Sequence, residues 1–238
     1  MGFGMDFGRF GKLLSAARVN TPNAPRPGAS PIGIDFGVRT LKLLQVQAGD
    51  PPTLIAAACL ETPTDLLYDP GKRLKFQFEA LPKLLKPFKG KRAVCTVPAG
   101  QSLVRHLQVP RTEGVPLEAA VELALPMQLG LDPAELICRG VDVGDVGRGG
   151  KVEAICFASS RQLVGALMGA LRAARLEPVG IQPEFAAALR AFEGLAAGEE
   201  AEKPTLYLDL GYGSVKAVVA HGGEVGRDGT EAEGEGGG

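Results

Sequence analysis

The sequence predicts an α/β fold in which helices flank a mixed β-sheet, and three observations support this. Apolar residues alternate over 32–36 and, with a one-residue slip, over 41–46, and a continuous apolar run at 54–60 supplies a third strand. A short β-branched run at 93–97 has the length and composition of a buried parallel strand. Apolar side chains recur every three or four positions over 160–176, the spacing of an amphipathic helix. Strands and helices therefore alternate as in a layered α/β protein.

The same reading orders the elements along the chain. The first three strands form a meander, and residues 64–92 are predicted as a helix with interruptions. A strand–helix–strand–strand insertion is expected over 101–157, on a base made of residues 32–100 and 158–225. The remaining predicted elements are strands at 102–110, 136–143, 151–158 and 179–181, helices at 117–126 and 183–195, and a strand–turn–strand at 206–220.

Composition excludes several classes of protein. The chain has 238 residues, is 45% hydrophobic and has a formal net charge of −1, which rules out a wholly disordered chain. The balanced charge argues against a nucleic-acid partner. No apolar run approaches the length of a membrane helix and no secretory signal is visible, so we expect a cytoplasmic protein. Glycine and proline concentrate in a flexible leader (1–31), a loop (144–150) and a disordered tail (226–238).

Two features each allow a purely structural interpretation and a functional one. Basic residues cluster over 75–92, which indicates most simply a solvated helix face, with a phosphate or lipid surface as the alternative. The leader mixes phenylalanine and leucine with basic residues, and it is interpreted as a mobile tail or as a segment touching a membrane surface or a partner. The four scattered cysteines are expected to be reduced core residues, because no pair has metal-ligand spacing.

The sequence also contains an internal repeat. The segments that begin at Ile32 and Leu206 are both strand–turn–strand patterns containing Asp-x-Gly. Glycine in the turn lets the backbone N–H groups approach a phosphate, and a carboxylate at the strand end can hold a hydrated Mg²⁺. The matching positions are Asp35 with Asp209, Gly37 with Gly211, Thr40 with Ser214 and Lys42 with Lys216.

These motifs resemble those of a known family. The repeat is similar to the two phosphate loops of the actin-like ATPase superfamily, and residues 32–45 resemble the opening of the type IV pilus assembly protein PilM family. Further similarity lies in the Val-Pro turn and strand at 97–110, in 118–135 and in 176–184. The resemblance covers about residues 31–225. It implies an actin-like (ribonuclease-H-type) mixed sheet with the insertion described above, as in related cell-division proteins.

The resemblance also implies a function. PilM-like proteins are scaffolds at the inner face of the inner membrane, where they bind the cytoplasmic N-terminal peptide of an inner-membrane pilus protein, and related components serve type II secretion. The resemblance implies ATP and Mg²⁺ as ligands, with peripheral membrane association, and leaves self-association open. The implied nucleotide site comprises Asp35, Gly37, Thr40, Lys42, Asp209, Gly211, Gly213 and Ser214, with Asp35 and Asp209 on the metal.

Two departures bear on this nucleotide site. The family's serine cluster after the first glycine is Val38-Arg39-Thr40 here, which leaves one hydroxyl. The family continues after the second loop with another domain, whereas a Gly- and Glu-rich stretch follows here, so we expect that domain to be missing. A nucleotide that is clamped between two domains would then lose half of its site. No catalytic residue is therefore assigned. A scaffold is the expected function, and an actin-fold ATPase or kinase that binds Mg-ATP through the two loops is the alternative.

Overall fold

The computed structural model describes residues 28–49, 51–146, 150–193, 204–212 and 215–221. Much of the predicted leader and the whole predicted tail lie outside these ranges. The strands are β1 (Ile32–Phe36), β2 (Thr40–Gln47), β3 (Thr53–Glu61), β4 (Arg92–Val97), β5 (Ser102–Pro110), β6 (Leu136–Val146), β7 (Lys151–Ser160), β8 (Glu177–Pro183), β9 (Pro204–Leu210) and β10 (Val215–His221). The helices are α1 (Pro70–Leu84), α2 (Leu117–Leu129), α3 (Arg161–Ala173) and α4 (Glu184–Glu193).

A five-stranded mixed sheet forms the base of the fold, in the order β3-β2-β1-β4-β8. β1, β2 and β3 are an antiparallel meander, and β4 pairs in parallel with both β1 and β8. The parallel strands are connected through helices, as parallel pairing requires. The predicted meander and the predicted buried strand at 93–97 are both confirmed.

The main core lies on one face of this sheet. Alternate residues of β1, β2 and β4 point towards α1 and α3, which supply Leu81, Leu167 and Leu171. Phe36 is completely buried, and its ring meets that of Phe78 edge-to-face with centroids 5.3 Å apart. The opposite face is more open, because Leu44 on β2 is half exposed. A sheet with one covered face explains the alternating pattern of its antiparallel strands.

Two predicted helices have different ends in the structure. The helix predicted over 64–92 is a short 3-10 turn followed by α1, and the chain leaves helical geometry after Leu84. Pro87 lacks an N–H and Gly90 adopts a φ of 75°, so neither continues a helix. α2 runs beyond its predicted end at Pro126 to Leu129, because a proline in the last turn removes only one bond. Gly130, with φ of 65°, ends this helix.

The inserted segment has its own sheet and core. β5, β7 and β6 form a three-stranded antiparallel sheet in that order, and α2 covers one face. Val121 and Leu125 are completely buried between the helix and the strands. Arg161 at the start of α3 donates hydrogen bonds to the carbonyl oxygens of Ala134 and Leu136, at 2.9 and 3.0 Å. This arginine joins the insertion to the base.

Gly140 lies in close contact with α2, and its replacement gives a testable result. A Cβ atom at this position would lie 2.7 Å from Cγ2 of the buried Val121. Gly140→Ala is expected to lower the free energy of unfolding by about 1–3 kcal/mol through overpacking, measured by urea denaturation. Gly165→Ala in α3, where the added methyl meets open space, is the control. It should leave stability unchanged or raise it by up to about 1 kcal/mol. Equal effects of the two changes would contradict this account of the contact.

The cysteines only partly follow their prediction. Cys95, Cys138 and Cys156 are free and buried, and burial raises the pKa of Cys95 and of Cys156 to about 12. Their thiols therefore stay protonated at neutral pH. Cys59 is exposed, so the expectation of a core cysteine is wrong there. It faces away from the core on β3, where small apolar residues occupy both faces of the strand.

No helix within the described ranges is long and apolar enough to cross a membrane.

Candidate functional site

The first predicted loop is the turn between β1 and β2. Asp35 lies directly across from Lys42 in the antiparallel pair, and Lys42 Nζ is 3.3 Å from Asp35 Oδ2. The Thr96 hydroxyl on β4 donates to the other carboxylate oxygen at 3.3 Å. Asp35 points to the open face of the sheet, where its side chain is 31% exposed. Strand alternation puts it there, because Ile34 and Phe36 point into the core.

The turn itself is tight, and hydrogen bonds from α1 and from the residue after β3 hold it. A Cβ atom on Gly37 would lie 2.8 Å from the carbonyl oxygen of Thr40, so glycine is required for this close approach. The completely buried Gln77 of α1 donates from Nε2 to the Gly37 carbonyl at 2.8 Å and to the Thr62 hydroxyl at 3.1 Å. The Thr62 N–H donates to the Arg39 carbonyl at 2.7 Å. α1 and the end of β3 therefore hold the turn in place.

The second predicted loop repeats the first in its register. Asp209 on β9 lies directly across from Lys216 on β10, as Asp35 lies across from Lys42. Gly211 follows the end of β9, and Gly213 and Ser214 lie outside the described residues. Among the described strands, β9 and β10 pair with each other and not with the five-stranded sheet. The sequence repeat thus corresponds to a repeated cross-strand Asp–Lys pair.

The two turns approach each other through aromatic and cationic side chains. The Arg39 guanidinium of the first turn lies 5.4 Å from the ring centroid of Tyr212 in the second. This distance is within the range of a cation–π contact. Tyr68, just before α1, shares a hydrogen bond with Tyr212 that raises the pKa of Tyr68 above its ordinary value. Arg39, Tyr68 and Tyr212 therefore form a cluster, called here the turn cluster, which bridges the two hairpins.

This arrangement matches a Mg²⁺-nucleotide site only in part. The turns face each other, and Asp35, Thr40 and Lys42 are at the first of them, as the resemblance implies. However, Lys42 and Thr96 already occupy both oxygens of Asp35. No group of three or more His, Cys, Asp or Glu side chains within the described ranges could hold a metal ion. A Mg²⁺ ion at Asp35 would share the carboxylate with the Lys42 ammonium, whose positive charge opposes a second cation there.

Sequence reasoning missed several residues around these turns. It left Arg39 open between a phosphate contact and exposure to solvent, and it did not select Tyr68 or Tyr212, because their contact depends on how the second hairpin meets the first. A buried role for Gln77 could have been predicted from the sequence. It lies three residues after Leu74 and four before Leu81 on the core-facing side of α1, where a polar side chain needs a buried partner.

A second candidate surface lies on α2 in the insertion. Leu123 and Met127 lie one turn apart, and both are exposed, at 60% and 69%. Leu131, just beyond the helix, is also exposed. We call these three residues the α2 surface. Acidic residues surround it in the sequence, and one of them, Glu122, pairs with Arg139 at 3.1 Å. The others are Glu118, Asp132 and Glu135.

Neither the protein-family models nor the curated proteins include a match to this sequence. Among solved structures, a chain of the PilM-PilN type IV pilus biogenesis complex matches with a TM-score of 0.64 and 27% identity, over 81% of this chain and 58% of that chain. The cytoplasmic domain of EpsL, an inner membrane component of the type II secretion system of Vibrio cholerae, matches with a TM-score of 0.48 and 14% identity. This match covers 79% of this chain and 70% of that chain.

The ethanolamine utilization protein EutJ from Carboxydothermus hydrogenoformans matches with a TM-score of 0.40 and 15% identity, over 84% of this chain and 51% of that chain. The similarity to the PilM-PilN chain extends over most of this chain and over just above half of the matched chain. The five-stranded mixed sheet, its flanking helices and the insertion agree with the fold that the sequence predicted. The resemblance to PilM is confirmed, and the chain has an actin-like fold.

Proposed function

We propose that this chain is a scaffold of a type IV pilus or type II secretion assembly machine, located at the inner face of the inner membrane. The observation that carries the proposal is the similarity to a chain of the PilM-PilN complex, at 27% identity over 81% of this chain. In this proposal the base subdomain, residues 32–100 and 158–225, holds the insertion, residues 101–157, in position. The insertion binds the N-terminal cytoplasmic peptide of an inner-membrane protein.

The chemistry of such a peptide supports a specific binding surface. Cytoplasmic segments beside a membrane helix are rich in Lys and Arg, so we expect the partner peptide to carry basic residues. The α2 surface offers exposed apolar side chains with acidic neighbours. Large apolar residues that cluster at a surface mark an interaction site more often than single ones do, and methionine adapts to varied partners. We therefore assign peptide binding to Leu123, Met127 and Leu131.

A peptide titration tests this assignment. Fluorescent peptides matching the cytoplasmic N-termini of inner-membrane pilus and secretion proteins are titrated with the full chain, and anisotropy gives the Kd. The double variant Leu123→Asp/Met127→Asp is expected to weaken binding about tenfold or more, because central apolar contacts dominate such interfaces. Leu54→Asp, at a comparably exposed position on β3, is the matched control and should bind as the unmodified chain does. Equal weakening in both variants would contradict the assignment.

An actin-fold ATPase or kinase that binds Mg-ATP is the second candidate. The observation that favours it is the turn cluster, which shows that the two Asp-x-Gly turns face each other. Under this alternative, backbone N–H groups at Gly37, Gly211 and Gly213 and the hydroxyls of Thr40 and Ser214 contact phosphate. Lys42 neutralises charge, while Asp35 and Asp209 hold the metal.

Titration with ATP and Mg²⁺ distinguishes the two candidates. We expect no binding in the micromolar range, because Asp35 is engaged by Lys42 and Thr96 and the turns are joined by Arg39 and Tyr212. Isothermal titration calorimetry measures this directly. Micromolar binding that is lost in Asp35→Asn, together with ATP hydrolysis, would favour the second candidate over the scaffold.

A further inference from the structure

One end of the five-stranded sheet carries a dense group of cations. The parallel strands β4 and β8 begin at this end, and α1 and α3 both finish there, since each helix runs antiparallel to the strand that follows it. The Glu177 N–H donates to the Lys91 carbonyl at 2.7 Å. This bond joins the connection between α1 and β4 to the connection between α3 and β8. The exposed cations here, called the basic end, are Lys83, Lys86, Lys89, Lys91, Arg92, Arg172 and Arg175.

The basic end has little compensating charge. Within residues 83–92 and 172–177 the only carboxylate is Glu177, and Glu79 lies one turn before Lys83 on α1. In the part of the chain that the structure describes, none of the seven cationic side chains forms an ion pair. At the opposite end of the sheet, Arg39 and Lys72 are accompanied by Glu61 and Asp69. The charge is therefore polarised along the strands.

The N-terminal segment joins the fold at this same end. Gln45, almost completely buried, donates from Nε2 to the carbonyl oxygens of Ser30 and Lys89 at 2.8 and 2.7 Å, and it accepts from the Lys89 N–H at 2.8 Å. These bonds fix Ser30 beside Lys89. The sequence before Gly28 mixes basic and large apolar residues, namely Arg9, Lys12, Arg18 and Arg26 with Phe3, Phe7, Phe10, Leu13 and Leu14.

We propose that the basic end docks on an anionic membrane surface. Unpaired cations on one face are attracted to the negative charge of a cytoplasmic leaflet, at about 1 kcal/mol for each Lys or Arg near the surface. Phe88, the aromatic residue among these cations, is partly buried against the main core, which argues against base stacking and hence against a nucleic acid.

This orientation is compatible with the peptide proposal but does not depend on it. The insertion leaves the sheet at the carboxyl end of β4, opposite the basic end. β4 has six residues, so the two ends are about 20 Å apart along the strand. A membrane protein whose peptide reaches the α2 surface must therefore extend past the sheet.

Vesicle flotation with the full chain tests the proposal. We expect binding to vesicles of phosphatidylglycerol and phosphatidylcholine at low salt, little binding to phosphatidylcholine alone, and loss of binding at about 0.5 M salt. Lys86→Glu/Lys91→Glu should weaken binding about tenfold or more. Arg105→Glu/Lys151→Glu, two exposed cations of the insertion, is the matched control and should bind as the unmodified chain does.

Several results would overturn the proposal. They are equal binding to neutral vesicles, unchanged binding in Lys86→Glu/Lys91→Glu, or loss only in Leu13→Asp/Leu14→Asp, which would assign anchoring to the N-terminal segment alone. Retention of RNA without vesicle binding would assign the surface to a nucleic acid. Because the vesicles contain no protein, failure here is distinguishable from failure of the peptide proposal.

Discussion

Replacing Phe36 with alanine should lower the free energy of unfolding by about 3–5 kcal/mol, the usual cost of removing a buried aromatic ring. Phe36 is completely buried and meets Phe78 edge-to-face. It also ends β1 immediately before Gly37, so its loss removes packing below the first turn as well as within the core. Urea denaturation followed by circular dichroism measures the change.

A control separates burial from simple loss of apolar surface. Leu44→Ala on the neighbouring strand removes a side chain that is 52% exposed, and we expect it to cost under about 1 kcal/mol. A loss of similar size in both variants would contradict the core assigned to the covered face of the sheet.

Replacing Gln77 with leucine should cost about 2–4 kcal/mol, although the two side chains are similar in size. The change removes the donor to the Gly37 carbonyl and to the Thr62 hydroxyl. Each buried polar group left without its partner costs about 1–3 kcal/mol. The Gly37 carbonyl also belongs to the first turn, so amide exchange at residues 37–40 should accelerate. Hydrogen exchange measured with the denaturation curve separates this local effect from global destabilisation.

Gln108→Leu is the matched control for this second prediction. Gln108 is exposed on β5, and its contact with Glu153 is long, at 3.5 Å. Its replacement should change stability by less than about 0.5 kcal/mol. A stabilising effect of Gln77→Leu would show that the buried amide does not support the turn.

The elements of the fold were largely predictable because each carries its own periodicity. Alternation over 32–36 and 41–46 defined a hairpin, and the repeat at 206–220 predicted the matching pair of Asp and Lys positions. The run at 93–97 predicted a parallel strand because it is short and rich in apolar and β-branched residues. These signals are local, so they survive without knowledge of the tertiary structure.

Features that depend on tertiary contact were less predictable from the sequence. The approach of Arg39 to Tyr212 depends on how two hairpins about 170 residues apart in the chain come together. The exposure of Cys59 was hidden because the alternating residues of β3 are small and apolar on both faces. The end of α1 was misread because the basic residues after Leu84 keep an approximately helical spacing, whereas Pro87 and Gly90 break the helix.

The central claim is that this actin-like chain binds a membrane partner's peptide without needing a nucleotide. Isothermal titration of the full chain with that peptide, in the presence and absence of ATP and Mg²⁺, tests it most directly. The account predicts the same micromolar Kd in both conditions and its loss in Leu123→Asp/Met127→Asp. Binding that appears only with ATP and Mg²⁺, or no binding to any pilus or secretion peptide, would contradict it.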